Sequence, residues 1–342
     1  MRLNFRDGGA FATQKAIKYF KNSSPQEIKS IMVIRHAAIG DFMNIRPFLI
    51  HLRNFFPNAK ITLNILHTNL YGAPTDLVDD VLVMYKADPN NSAKKTSFLN
   101  RVKQIRNIPE QDLLFDLTDS TFTLIVAIFS KVKIKIGYPY RSIKRFFYDV
   151  ATLRSDFTLE AESVIQMLNI LGCKSRDLQY GYENQYSKNN LKRIVYFAGA
   201  SVKNKCWEEE KFKILIDRMS DKYLDYDHVI LQGIKDDEKF LDIFESLKNK
   251  KNVILQQSMP LNEVMQFLSD SRCLISNDTG VRNMAIAVET PTIGIFFAIA
   301  PFRYWPKDVK HDCVFNVEYT SPEVEDVYRV ADGLINRLYI KI

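Results

Sequence analysis

The sequence predicts an α/β protein made of two doubly wound domains, and three observations indicate this fold class. Short apolar runs typical of buried strands alternate with amphipathic stretches of helical periodicity. This alternation, which is typical of a mostly parallel sheet, occurs twice along the chain. The chain has 342 residues, of which 46% are hydrophobic, so it can form two cores of ordinary size.

The elements follow one another in a regular order. In the first half, the apolar run at 30–35 predicts a strand, and the amphipathic stretch at 42–56 predicts the helix after it. The same half has predicted strands at 60–66, 81–85 and 112–117 and predicted helices at 97–107 and 121–130. The second half has predicted strands at 193–197, 227–232, 252–255, 273–276 and 292–296 and predicted helices at 208–222, 236–249, 261–269 and 280–288.

The polar stretch at 180–192 has the Asn, Gln, Ser and Lys content of a linker between the two halves. Open parallel sheets bind ligands outside the carboxyl ends of their strands, so we expect a ligand cleft between the two domains. The predicted organisation is a basic N-terminal extension at 1–30, an N-terminal domain at 31–185, a C-terminal domain at 186–325, and a C-terminal helix at 326–342 that packs back on the N-terminal domain.

Composition excludes several other classes of protein. Charged residues make up 25% of the chain and no low-complexity tract occurs, which excludes disordered and fibrous proteins. The four cysteines lie far apart, so neither a disulfide framework nor a zinc site is indicated. The longest apolar stretches, 122–129 and 290–302, are shorter than the roughly 18–20 residues that cross a bilayer. Because a secretory signal is also lacking, we expect a cytoplasmic protein.

The charge balance is the unusual feature of the composition. Lys plus Arg number 47 against 40 Asp plus Glu, a formal net charge of +7, which favours a polyanionic partner: nucleic acid, an anionic membrane face or phosphorylated small molecules. The segment 131–154 alone has a net charge of +6, interleaved with aromatic residues, and the first 30 residues have +4. Such clusters bind nucleic acid or anionic lipid head groups, although a solvated helical face also explains the N-terminal one.

The turn at 35–41 joins the first predicted strand to its helix and ends in Gly40 and Asp41. An Asp at the carboxyl end of a central strand can serve as a general base. Asp is also favoured as a helix N-cap, so the sequence leaves both interpretations open. His36 is the histidine of most interest because it is close to Asp41, whereas no histidine has a paired metal-binding spacing.

A second polar loop, Ser276-Asn-Asp-Thr-Gly280, follows a strand and begins a helix. Free N–H groups at a helix start, beside a Thr hydroxyl and a small Gly, suit a phosphate group. Asp278 can accept a hydrogen bond from a ribose hydroxyl, while Thr279 and Gly280 contact phosphate oxygens. An Asx-turn with an N-cap is the structural alternative for the same residues.

A third loop, at 197–207, also follows a strand and contains Lys203 and Lys205. Lysines in such a loop can neutralise a diphosphate, although they can equally be solvated surface residues. All three loops are predicted at the carboxyl edges of their sheets, which favours ligand binding. The spacing Asp225-Tyr-Asp227 is that of a metal-binding D-x-D pair, but it precedes a strand, so we interpret it as solvated.

Taken in order, these segments resemble glycosyltransferase family 9, the ADP-heptose:lipopolysaccharide heptosyltransferases. The resemblance spans about 31–305, and its markers are the segments 31–41, 56–62, 135–138, 199–207 and 276–280, with Thr290-Pro291 and 296–305. It implies a GT-B fold, in which two Rossmann-like domains flank a cleft and the C-terminal domain holds most of the donor. It also implies an inverting transfer from a nucleotide sugar without a metal or other cofactor.

The resemblance implies a role for individual residues. Asp41 matches the family's catalytic base, which deprotonates the acceptor hydroxyl. Lys205 and Ser201 match contacts to the donor phosphates, and Met259 falls at the residue that contacts the adenine. The full set of implied donor-binding residues is Gly40, Ser201, Lys205, Met259, Asp278, Thr279 and Gly280.

The sequence departs from the family pattern where the second loop continues as Val281-Arg-Asn283. The family commonly has His at the position of Asn283, and Arg282 brings a cation instead, so the donor or the diphosphate geometry can differ. We therefore count Arg282, Asn283 and His36 as possible donor or acceptor contacts. The predicted acceptor-binding residues, on the basic segment, are Arg141, Lys144 and Arg145.

The expected partners are a nucleotide sugar and an anionic phosphorylated glycolipid at the inner face of the cytoplasmic membrane, where the protein binds peripherally; nucleic acid is not expected. Two alternatives remain. One is an enzyme of the same fold that uses another nucleotide sugar for a capsule or other surface glycan. The other is a non-catalytic α/β protein whose basic surface binds phosphates or nucleic acid.

Overall fold

The computed structural model describes every residue except 2–9, 86, 89–90, 96, 183, 190 and 340–342, and it divides the chain into two compact units, Met1–Gln179 and Tyr180–Ile342. The boundary lies a few residues before the predicted one. Among the described residues, no helix is both long enough and apolar enough to cross a membrane.

The first unit is a seven-stranded sheet with helices on both faces. Its strands are β1 Ala10–Ala12, β2 Ser30–Ile34, β3 Lys60–Leu66, β4 Asp80–Met84, β7 Gln111–Asp116, β8 Val132–Gly137 and β9 Val150–Thr152, with a separate hairpin of β5 Ala87–Asp88 and β6 Asn91–Lys95. Its helices are α1 Gln14–Lys21, α2 Ile39–Phe55, α3 Phe98–Arg106, α4 Thr121–Phe129 and α5 Glu160–Ile170. The sheet order is β1-β9-β8-β7-β2-β3-β4, parallel except where β1 meets β9.

Both faces of the central strand β2 are buried, as a parallel sheet requires. Ile31 and Val33 pack in the core cluster that contains Phe42 of α2 and Leu168 of α5. Met32 and Ile34 point to the other face and pack in the cluster that contains Phe122 and Val126 of α4. The continuous apolar run of β2 is therefore the sequence signature of a strand covered on both sides.

The second unit repeats this architecture with six parallel strands. They are β10 Leu191–Phe197, β11 Asp227–Leu231, β12 Val253–Gln256, β13 Ser271–Asn277, β14 Thr292–Phe296 and β15 His311–Phe315, and the helices are α6 Glu209–Lys222, α7 Leu241–Leu247, α8 Leu261–Ser269, α9 Gly280–Ala287 and α10 Val324–Tyr339. The sheet order is β12-β11-β10-β13-β14-β15. This is the doubly wound order, and the first unit has the same order in β4-β3-β2-β7-β8-β9.

Both ends of the chain form part of the compact units. The predicted basic extension is part of the first unit, because β1 pairs with β9 and α1 buries Ala16 and Phe20 in the core. The C-terminal helix α10 belongs to the second unit and packs on its α6 and β15, while its predicted packing on the first unit stays a prediction. Its buried stripe of Val327, Ala331, Leu334 and Ile335 has the spacing of one helix face, which explains why it covers the nearby sheet.

Candidate active site

The turn after β2 places Asp41 at the switch point of the first sheet, where the strand order reverses between β2 and β7. The N-cap of α2 is Ala38, so Asp41 is the third residue of the helix and is not its cap. Its carboxylate instead accepts a hydrogen bond from the Arg35 guanidinium, with Nη2 and Oδ1 2.9 Å apart. Because the Asp41 side chain is 29% exposed, its carboxylate can be reached from solvent.

Arg35 belongs to a buried ionic network that fixes the Asp41 carboxylate. The Arg35 side chain is only 2% exposed, and its Nη2 also lies 3.2 Å from Oε1 of the buried Glu160 at the start of α5. Arg154 also donates to the Glu160 carboxylate, and Arg35 Nη1 donates to the carbonyl of Leu117. Removal of one buried partner from such a network is costly, so the orientation of Asp41 is set by groups that cannot easily move.

His36 follows Arg35 but is directed into the interior of the first unit. Its backbone N–H donates to Thr118 Oγ1 at 2.8 Å, and its Nε2 lies 2.8 Å from Asn64 Oδ1. The Asn64 amide nitrogen donates to the carbonyl of Leu82, so its oxygen accepts from His36 Nε2. These contacts give His36 a packing role, whereas Asp41 is oriented by Arg35.

In the second unit, the loops after β10 and β13 lie on either side of the switch point, because these two strands are neighbours at the centre of the sheet. Asn277, the last residue of β13, joins them: its Nδ2 donates to the Ala198 carbonyl at 2.5 Å and its Oδ1 accepts from the Trp207 backbone at 3.0 Å. Sequence reasoning missed this residue, although an Asn that ends an apolar strand is itself a signal.

Asn277 thereby brings the two predicted binding loops together. Lys205 Nζ lies 2.5 Å from Asp278 Oδ2, and both side chains are largely buried, with 23% and 10% exposed. The pair lines a narrow crevice with the end of β14 and the residues just after it, Ile295–Ile299. Lys205 and Asp278, which are far apart in sequence, are therefore a single ionic pair at the carboxyl edge of the sheet.

The other predicted donor-binding residues of the second unit surround this edge, whereas Gly40 is a buried residue in the first turn of α2 in the first unit. Thr279 is the N-cap residue of α9 and Gly280 is its first helical residue. Thr279 makes no side-chain capping bond, so the capping interpretation does not account for its hydroxyl. Ser201 is exposed in the loop after β10, and Met259 is half-buried in the loop between β12 and α8. All four residues follow the carboxyl ends of strands, as the sequence predicts.

Arg282 is buried beside the Lys205–Asp278 pair, with 1% of its surface exposed. Its Nη1 donates to the Tyr304 carbonyl at 2.7 Å, and its guanidinium lies 5.1 Å from the centre of the Phe296 ring. Its Nε and Nη2 have no hydrogen-bond partner among the described residues. Burial lowers the pKa of Arg282 to about 10, and the negative charge of Asp278 opposes this shift. Arg282 stays protonated at neutral pH, so this edge carries a second cation.

Asn283 is also buried, at 8% exposure, on the first turn of α9. The Asp225-Tyr-Asp227 spacing does not form a joint site, since exposed Asp225 pairs with Lys192 at 2.5 Å and Asp227 begins β11. Within the described ranges, no three His, Cys, Asp or Glu side chains are grouped as metal ligands.

The family model of glycosyltransferase family 9 (heptosyltransferase) matches residues 101–331, which is more than half of the chain. The chain belongs to glycosyltransferase family 9. The matched range includes Lys205, Asp278 and the rest of the second-unit edge, whereas Asp41 lies before it. The protein is thus a glycosyltransferase, and the non-catalytic alternative is not favoured.

Solved structures of this family have the same fold as this glycosyltransferase. A family 9 glycosyl transferase from Veillonella parvula is 20% identical, with 92% of this chain and 99% of that chain covered and a TM-score of 0.68. The E. coli heptosyltransferase WaaC, solved with ADP-2-deoxy-2-fluoro heptose, is 14% identical, with 89% and 99% covered and a TM-score of 0.69. E. coli ADP-heptose lps heptosyltransferase II is 16% identical, with 90% and 99% covered and a TM-score of 0.64.

At these identities the structures establish the fold, and they confirm the predicted GT-B class with two Rossmann-like domains. A comparison with curated protein sequences finds no match.

The three predicted acceptor-binding residues of this glycosyltransferase differ in their surroundings. They lie on or beside a short 3₁₀ helix, Ser142–Phe147, between β8 and β9. Lys144 pairs with the buried carboxylate of Asp119 at 2.6 Å, so its charge is already compensated. Arg141 is exposed, and the Arg145 guanidinium lies 5.0 Å from the Phe146 ring centre. Arg141 and Arg145 are therefore better placed than Lys144 to meet an anionic partner.

Proposed function

We propose that this glycosyltransferase moves heptose, or a related sugar, from ADP-heptose to the inner core of a lipopolysaccharide or lipooligosaccharide. The observation that carries the proposal is the second-unit edge, where Lys205 pairs with Asp278 and the charge of Asp278 also acts on the buried Arg282. Two cations and one carboxylate leave a net positive charge in a largely buried site, which suits a diphosphate. The heptosyl donor bound to the E. coli neighbour WaaC supports the choice of sugar.

The donor is held by the residues at this edge. Lys205 and Arg282 contact the diphosphate, and the N–H groups at the start of α9 with Thr279, Gly280 and the Ser201 hydroxyl add further donors. Without donor, Lys205 forms an ion pair with Asp278. When the donor binds, Lys205 exchanges this carboxylate for a phosphate oxygen. Asp278 then accepts from a ribose hydroxyl. Met259 contacts the adenine.

Transfer follows as a single displacement. Asp41 takes the proton of the acceptor hydroxyl while that oxygen attacks the anomeric carbon of the donor. The bond from the anomeric carbon to the diphosphate breaks, and the nucleoside diphosphate leaves with the electron pair, so the configuration inverts. Lys205 and Arg282 stabilise the charge that develops on the leaving group, which is the role that a divalent metal has in other transferases.

The nucleotide and sugar are tested by calorimetric titration with ADP-, UDP-, GDP- and CMP-sugars. We expect ADP-heptose to bind most tightly, and Lys205→Ala to weaken it about a hundredfold, since a charged hydrogen bond in a desolvated site is lost. If another nucleotide sugar bound more tightly, the result would favour the alternative, in which the enzyme uses that sugar to build a capsule or other surface glycan. That alternative is motivated by Arg282 and Asn283, where the family pattern has His. We also expect sugar transfer to continue in the presence of EDTA. If EDTA abolished transfer and added Mg²⁺ restored it, the metal-free step would be wrong.

The base assignment is tested with Asp41→Asn. We expect kcat to fall about 10²–10⁴-fold, the usual contribution of a general base, while donor affinity is retained. Asp225→Asn is the matched control, because it removes an exposed carboxylate that pairs with Lys192 away from the site. Transfer at the wild-type rate by the Asp41 variant would exclude Asp41 as the base.

A further inference from the structure

One edge of the first sheet presents a cluster of exposed apolar side chains on a single short segment. The 3₁₀ helix Ser142–Phe147 leaves Ile143 69%, Phe146 61% and Phe147 50% exposed. Isolated exposed apolar residues are normal, but three large ones within five positions form a patch that water solvates poorly. Such a patch marks an interaction site.

The N-terminal strand extends this patch and holds it in place. The ring of Phe11 on β1 packs edge-to-face on Phe146, with the ring centres 5.4 Å apart. β1 itself pairs with β9, the strand that follows the 3₁₀ helix. The apolar patch therefore lies at the edge of the sheet where β1 pairs with β9. We call the segment 141–147 together with β1 and α1 the edge surface.

The edge surface is also basic. Helix α1 buries Ala16 and Phe20 and leaves its three lysines on the exposed side. Of the charged groups here, Lys15 lies 3.4 Å from Asp149, and Lys144 is neutralised by Asp119. The remaining basic side chains of the edge surface are Lys18, Lys21, Arg141 and Arg145.

We propose that the edge surface docks on an anionic lipid bilayer. Ile143, Phe146 and Phe147 enter the head-group region, and Arg141, Arg145 and the α1 lysines contact the lipid phosphates. Exposed apolar side chains and two arginines occur together on the short segment 141–147, which is the pattern of an interfacial membrane binder. A base-stacking role fits less well, because Arg145 covers a face of the Phe146 ring and Ile143 has no π-face. This inference extends the proposed function, since it delivers the enzyme to a lipid-linked acceptor.

The test uses the full chain with vesicles and neither donor nor acceptor, so that it is independent of the transfer reaction. We expect sedimentation with vesicles of phosphatidylglycerol and phosphatidylcholine, and much weaker binding to phosphatidylcholine alone. Phe146→Ser/Phe147→Ser should lower the partition constant at least about tenfold, because the transfer of two exposed rings from water into the head-group region is lost. Arg141→Gln/Arg145→Gln should lower the partition constant about twenty-five-fold at low salt, at about fivefold for each charge.

Matched control variants come from the second unit. Leu224→Ser/Val317→Ser removes two apolar side chains that are 74% and 79% exposed, and Arg329→Gln removes an exposed cation. Both controls should bind vesicles as the wild type does. Failure of the wild type to bind anionic vesicles, or equal losses in the edge and control variants, would overturn the proposal. So would a dimer that depends on Phe146 and Phe147 and binds no vesicles.

A second readout does not depend on removing side chains. Phe146→Trp places a tryptophan on the edge surface, while the two native tryptophans, Trp207 and Trp305, lie in the second unit. We expect its emission to shift to the blue with anionic vesicles and to be quenched by brominated lipid chains. The wild type supplies the baseline. A quenching profile identical to the wild type would show that residue 146 stays in water, which contradicts insertion.

Discussion

At the scale of single residues, the sequence allowed two roles for Asp41, helix N-cap and general base, and the structure excludes the N-cap role. The predicted helix began at residue 42, which would have made Asp41 the cap, whereas α2 begins at Ile39. Helix starts read from sequence patterns are uncertain by about two to four residues, which is enough to turn a capping side chain into a non-capping one. The partner that Asp41 does have, Arg35, could not be inferred, because it depends on Glu160 from a helix 125 residues away.

We predict that Arg35 positions Asp41. Arg35→Met should lower the free energy of unfolding by about 3 kcal/mol, because it removes one guanidinium from the buried Glu160 carboxylate. It should also lower kcat per folded molecule at least about tenfold through the lost orientation of Asp41, with little change in donor KM. Urea unfolding and steady-state kinetics measure the two effects.

A triple variant separates stability from positioning. Arg35→Met/Arg154→Met/Glu160→Gln should recover stability, because the buried ion pairs of Glu160 are removed together and no uncompensated buried charge is left, but it should not recover kcat. Arg329→Met, on an exposed face of α10, is the control and should change neither quantity. If Arg35→Met loses stability while kcat per folded molecule is unchanged, Arg35 is structural only.

At the scale of elements, the strongly periodic segments were predictable and the basic ones were not. The apolar runs of β2, β10 and β13 identified the strands that carry the site. By contrast, β8, whose sequence alternates Val, Ile and Lys, was counted as basic charge and, at 135–138, as a family marker, but not as a strand, although alternation is the signature of a strand. The predicted helix at 236–249 is divided, because Phe240 has a φ of +50° and separates a short 3₁₀ turn from α7.

Two glycines of the second unit allow a prediction about its elements. A Cβ at Gly294 on β14 would lie 2.5 Å from Phe296 Cε2 and 2.6 Å from Arg282 Nε, so Gly294 makes room for the buried guanidinium. We expect Gly294→Ala to lower the free energy of unfolding by about 1–3 kcal/mol. At Gly333 in α10 the nearest atom, Arg337 Nη1, is 3.7 Å away. Gly333→Ala should therefore raise stability by about 0.5–1 kcal/mol.

Denaturant unfolding of both variants checks this pair. Their opposite signs are the informative result, because the same chemical change is made in both. A stabilising Gly294→Ala would mean that Arg282 and Phe296 can move aside, and the tight space inferred for the donor edge would then be wrong.

At the scale of the whole molecule, the repeated strand order explains how much of the site could be predicted. β2 in the first unit and β10 in the second lie beside the switch points, so loops that follow β2, β10 and β13 reach the carboxyl edges, as expected from the pattern alone. Which side chains then contact one another depends on packing between residues far apart in sequence. The Lys205–Asp278 pair and the burial of Arg282 belong to this second class.

The second unit contains two buried histidines, His228 and His311, that make its stability depend on pH. In the second unit, burial lowers the pKa of His228 to about 4 and that of His311 to about 3. His228 is held neutral between the Tyr196 hydroxyl and the Tyr223 carbonyl. Since both histidines titrate near pH 6.5 when unfolded, the unfolded chain binds more protons below that pH, and stability falls as the pH decreases.

We predict that the second unit loses stability between pH 7 and pH 5, by about 2 kcal/mol for each histidine at pH 5. Tryptophan emission reports on this unit, because Trp207 and Trp305 both lie in it and Trp305 donates to the His311 carbonyl. Urea unfolding followed by this emission should show the decrease, and His228→Gln should remove about half of it. His67→Gln, at an exposed site in the first unit, should leave the pH dependence unchanged. Carboxylates titrate mostly below this window, so an unaltered slope in His228→Gln would show that the buried histidine is not the cause.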